Sequence, residues 1–90
     1  MARFDFGYRD LQHGAATSLN ADMLFQLGLM HSAGRDVEIN LIEAHKWFNL
    51  AALRGNETAK QYRMEVAREM SKSDVAKAQR LARKWLLAEC

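Results

Sequence analysis

From residue 17 onward apolar side chains recur every three or four positions, the spacing of one helical face. Leu19, Met23, Leu27 and Met30, with Leu24 and Ala33 beside them, predict a helix over 17–33. Thr17 or Ser18 can cap its start, Asp22 in the first turn suits the positive end of the helix dipole, and Gly34 stops it. A second helix is expected over 40–54. Asn40 with Glu43 three residues later has the form of a capping box, and Arg54-Gly55 makes a cationic last turn and a glycine stop. Its inner stripe is Leu41, Ala44, Phe48, Ala51 and Ala52, with Trp47 alongside.

A third helix over 57–70 carries Ala59, Tyr62, Val66 and Met70 on its inner face. Ser71 and Asp74 resemble another capping box and open a fourth helix over 72–88. There Val75, Ala78, Leu81, Ala82, Trp85 and Leu86 face inward, and Lys77, Arg80 and Lys84 share the solvated side. Short connections favour antiparallel neighbours, so the expected fold is all-α, a short solenoid of helical hairpins. Residues 1–16 break the pattern at Gly7 and Gly14 and read as an irregular N-terminal arm; residues 17–90 form one repeat domain.

Composition narrows the picture. The chain has no proline and five glycines, and its β-branched residues are few, which argues against a sheet. Ninety residues suffice for one domain with a modest core. A single cysteine, Cys90, cannot form an internal disulfide. The charged start lacks the apolar run of a signal peptide, and no stretch reaches the roughly 20 apolar residues of a membrane span, so the expected setting is cytoplasmic. Charge is uneven: residues 1–53 carry four Lys/Arg against six Asp/Glu, and residues 54–84 carry nine against four. A basic C-terminal half hints at an acidic partner.

Glycines and alanines carry the most specific signal. Gly28 sits in mid-helix, where it costs roughly 1 kcal/mol against alanine, and such a glycine is useful where a second helix crosses closely. Ala44, Ala51 and Ala52 offer small surfaces from helix 2, while Trp47 and Phe48 fill volume. The array Ala21, Leu24, Leu27-Gly28, Gly34, Val37, Ala44, Trp47, Ala51-Ala52, Gly55 and Ala59 resembles the Sel-one-like repeat, a relative of the tetratricopeptide repeat with a slightly longer unit. His31 stands where the family places an aromatic, Asp36 where it places a second loop glycine, and Asn40 where it places an aspartate. After residue 59 the pattern fades into a degenerate closing hairpin, and Met70 to Trp85 is similar to tails that follow single repeats in bacterial members. The resemblance implies an adaptor whose concave side binds a peptide or protein. Independent solenoids need about three units, so this short one implies a partner or a homo-oligomer.

Catalytic chemistry finds no support. No nucleophile, base and acid fall in a meaningful order, no glycine loop cradles phosphate, and no cofactor is implied. His31 and His45 lack the spacing of a metal pair within one helix and read as packed, hydrogen-bonded side chains. The expectation is therefore a protein-interaction module without enzymatic activity. Its groove lies along helices 1 and 3, with Leu24, Phe25, His31, Tyr62 and the arm residues Phe4, Phe6 and Tyr8 as contacts. One alternative is a small accessory subunit of a larger assembly, docked through the arm. The other is a weak nucleic-acid binder using a basic face of Arg63, Arg68, Lys77, Arg80 and Lys84, disfavoured by poor aromatic interleaving.

Overall fold

The structure is a computed structural model and describes residues 19–89, with side chains placed through residue 88. It is all-helical there: α1 (Ala21–Ala33), α2 (Leu41–Leu53), α3 (Glu57–Ala67) and α4 (Lys72–Glu89). One device starts the first three helices. Asn20, Asn40 and Asn56 each stand in extended backbone just ahead, and each side-chain carbonyl accepts from the amide three residues on, at Met23, Glu43 and Ala59. The Ser71 hydroxyl does the same for Asp74, at 3.0 Å.

The α1 start departs from the expected Thr17 or Ser18, because the asparagine holds the capping position and α1 begins at Ala21. Just before it, the Leu19 carbonyl accepts from the Arg54 guanidinium at 2.9 Å, a bond across thirty-five residues that no local pattern reveals. The capping box at Asn40 forms by half. Asn40 accepts from the Glu43 amide, but the Glu43 carboxylate turns along the helix to Trp47 Nε1 and Lys46 Nζ, both at 3.1 Å. α3 ends at Ala67 rather than at residue 70. A tight turn follows, with the Glu69 amide donating to Val66 and the Met70 amide to Ala67, and it lays Met70 against the core.

α2 is the hub. It makes the close backbone approaches to α1, α3 and α4, while the other helix pairs come near each other much less. The reason is in its composition: Ala44 and Ala51 are wholly buried, and such small side chains let neighbouring backbones come near. Phe48, Leu24 and Leu50 are the largest fully buried side chains, joined by Ala59, Val66 and Ala82 in one cluster. α1 buries Leu24 and Gly28 fully, whereas Met23, Leu27 and Met30 remain partly open and Ala33 is exposed. Its expected inner face is thus rotated. α1 is apolar nearly all round, so its own pattern does not choose a face; Phe48 does, by pressing onto the bare backbone of Gly28.

The connection 34–40 holds two left-handed residues. Gly34 is the C-cap at φ 74°, its amide bonded to the Met30 carbonyl. Asp36, where the resembled family has its second glycine, stands at φ 67°. Left-handed backbone costs an L-residue about 1–2 kcal/mol, somewhat less for aspartate. Asp36→Gly is therefore expected to stabilise the chain by about 0.5–1 kcal/mol once glycine's extra chain entropy is set against the relief. Asp36→Val should destabilise it, since a β-branched side chain resists this region most. Thermal melts of the two variants check the sign of each change.

Candidate functional site

The face expected to bind a partner is built from three rings that start in the core and end at the surface. Phe48 of α2 is fully buried. Phe25 of α1 tilts against it with ring centroids 5.6 Å apart, and Tyr62 of α3 tilts against it at 5.5 Å. Phe25 and Tyr62 meet edge to face at 5.1 Å. Each such pair adds about 0.5–1.5 kcal/mol beyond area burial, so α1 and α3 are tied together over α2 by stacking. Tyr62 is the outermost ring, 38% exposed, and its hydroxyl bonds to no described residue. Sequence periodicity assigned Tyr62 to the inner face; it lies at the core's rim, with its apolar body packed and its polar tip open.

The other expected contacts divide. Phe25 is half-buried within the ring cluster. Leu24 is fully buried and belongs to the core, which corrects its assignment to the groove: it lies on the α1 face that Phe48 selects. His31 is half-buried near the end of α1, where its Nδ1 donates to the Leu27 carbonyl at 2.9 Å and its own carbonyl accepts from the Asn40 amide at 3.0 Å. It fastens the turn between α1 and α2. Phe4, Phe6 and Tyr8 lie outside the described residues.

His45 of α2 is 3% exposed, and its Nδ1 is buried without a hydrogen-bond partner. It is packed as expected, but this nitrogen is not hydrogen-bonded. Burial lowers its pKa from the ordinary value, and the Arg63 guanidinium adds to the effect. Arg63 itself is held by Asn49 Oδ1 at 2.7 Å, so it cross-links α3 to α2 and does not belong to a free basic face. The folded chain takes up the His45 proton only at lower pH than the unfolded chain, which protonates it near pH 6.5. Its contribution to stability is complete above that pH and is lost as pH falls through 6.5 toward the lower folded value. Urea unfolding at a series of pH values should show stability falling from pH 7 to 5.5 in the wild type and a shallower fall in His45→Leu. An unchanged slope would assign the effect to other groups.

A second aromatic seam joins α2 to α4. Trp47 and Trp85 pack edge to face at 5.8 Å, with Lys46 4.1 Å above the Trp47 ring and Arg54 5.8 Å from the Trp85 ring. Both indoles are thereby engaged within the fold. No family model, curated protein or solved structure matches the chain.

Of the expected basic face, Lys77, Arg80 and Lys84 are exposed together on α4 with Arg83 beside them, while Arg68 is exposed at the C-cap of α3. Leu87 stands 74% exposed next to this group and was missed by the periodic reading, although it sits three residues after Lys84 on the same side. Among the described residues no helix is long and apolar enough to cross a membrane.

Proposed function

We propose that this chain is a protein-interaction module of the Sel-one-like repeat type, and that it takes a peptide or protein segment along the line where α1 and α3 meet. The observation that carries the reading is Tyr62. It is a half-open aromatic anchored by two rings, with a hydroxyl that bonds to no described residue. Rigid aromatic side chains of this kind supply contact area at low entropic cost and are enriched among interface hot spots. Further support comes from the resembled pattern having physical work at its positions here. Gly28 admits Phe48, Ala44 and Ala51 are wholly buried, and Gly34 and Asp36 hold the left-handed turn.

The test is quantitative affinity enrichment with the tagged wild type and Tyr62→Ser, both shown to be folded by circular dichroism. A discrete partner recovered by the wild type should fall at least about tenfold with the variant, as expected for loss of a hot-spot ring. If the partner is a second copy, light scattering should give a dimer that Tyr62→Ser returns to monomer. An identical set of captured proteins and an unchanged mass would overturn the reading.

A further inference from the structure

The outward side of α4 carries charge that nothing else in the described chain answers. Lys77, Arg80 and Lys84 run along one stripe about 10 Å long, at 1.5 Å rise per residue, with Arg83 at its edge. Residues 75–88 contain no aspartate or glutamate. None of the four cations pairs with a described residue; the ion pairs seen are Glu43–Lys46 and Glu57–Lys60, and neither the exposed Glu65 of α3 nor the exposed Glu69 in the turn after it is ion-paired with α4. Arg80 and Lys84 stand at i,i+4, and Lys77–Arg80 and Arg80–Arg83 at i,i+3, so the stripe repels itself. Two leucines interrupt it: Leu81 is half-buried and Leu87 is 74% exposed, and together with the cations they line one shallow trough.

We propose that this trough docks an acidic, amphipathic segment of another protein, whose carboxylates meet the four cations and whose apolar side chains cover Leu81 and Leu87. Charge complementarity sets the sign of the occupant, and the leucines set its class. A nucleic-acid backbone would answer the cations but leave Leu87 unmatched. The face also has no exposed aromatic on which a base could stack, because Trp85 is engaged with Trp47. A lipid surface would ask for a broad apolar face, and that of α4 already packs against α2. An acidic protein segment with apolar residues at helical spacing satisfies both chemistries at once. The α4 trough is separate from the Tyr62 face, and the proposal stands without it.

Fluorescence anisotropy with the full chain tests it. The probes are a labelled Glu/Leu amphipathic peptide, a Glu/Ser peptide of equal length and charge, a single-stranded RNA of equal charge, and phosphatidylserine vesicles. The Glu/Leu peptide should bind at least about tenfold tighter than the Glu/Ser peptide or the RNA, and should weaken as salt is raised. The double substitution Lys77→Glu/Lys84→Glu should cut that affinity more than about tenfold and transfer preference to a Lys/Leu peptide. Leu87→Ser should weaken the Glu/Leu peptide severalfold and leave the Glu/Ser peptide unchanged. Circular dichroism confirms that each variant is folded. The proposal fails if the Glu/Leu peptide does not bind, if RNA or vesicles bind more tightly, if Leu87→Ser has no effect, or if Tyr62→Ser abolishes the binding instead.

Discussion

Phe48→Ala is expected to destabilise the chain by about 3–5 kcal/mol, the usual consequence of emptying a buried aromatic site. The ring has no solvent exposure and lies at the point where α1, α2 and α3 meet. Its removal deletes two ring pairs and leaves a gap in the hub helix, where the backbone of Gly28 has no side chain with which to fill it. A domain of this size has about 5–15 kcal/mol of stability in total, so the variant should be unfolded or close to it at room temperature. Phe48→Leu retains much of the volume and should be milder, by about 1–2 kcal/mol, which keeps the expectation measurable in urea. A loss under about 1 kcal/mol for Phe48→Ala would show that the hub lies elsewhere.

Gly28→Ala is expected to destabilise by about 1–3 kcal/mol, although alanine is the better helix former by roughly 1 kcal/mol. The sign is decided by space. A Cβ on Gly28 would fall inside van der Waals contact with Phe48 Cδ1 and Cε1, and the ring is hemmed in by Phe25 and Tyr62. A flexible side-chain end could move aside; a buried ring between two others has nowhere to go. Adding Phe48→Leu should relieve the clash, so the double variant should be more stable than the sum of the single changes by at least about 1 kcal/mol. Gly28→Ala that raised stability would mean α1 does not approach α2 as described.

Much of the architecture was legible because the chain keeps its local signals consistent. Without proline, and with Gly34 and Gly55 as stops, the apolar period alone separates four helices. The misplaced start of α1 has a local cause, and the other misplacements have non-local ones. α1 begins at Ala21 because Asn20 caps it, a choice that Thr17 and Ser18 obscure in the sequence. Its buried face is set by a ring on another helix, which is why Leu24 was legible as apolar but not as core. Tyr62 has the right spacing for the inner stripe, and only the position of Phe25 shows that it ends at the rim. His45 has a polar side chain yet is buried in the fold on α2. For the candidate sites, the cations of α4 could be read directly, whereas Leu87, next to the inward Leu86, was passed over although its spacing from Lys84 puts it on the solvated side.

A partner seated on the Tyr62 face should be caught there by site-specific photo-crosslinking. A benzophenone amino acid is placed at position 62 and, as a control on the same helix, at the exposed position 60, and the full chain is irradiated in extract from its native cell. A discrete adduct is expected from position 62 and none from position 60. No adduct from position 62, or the same adducts from both positions, would contradict that seating.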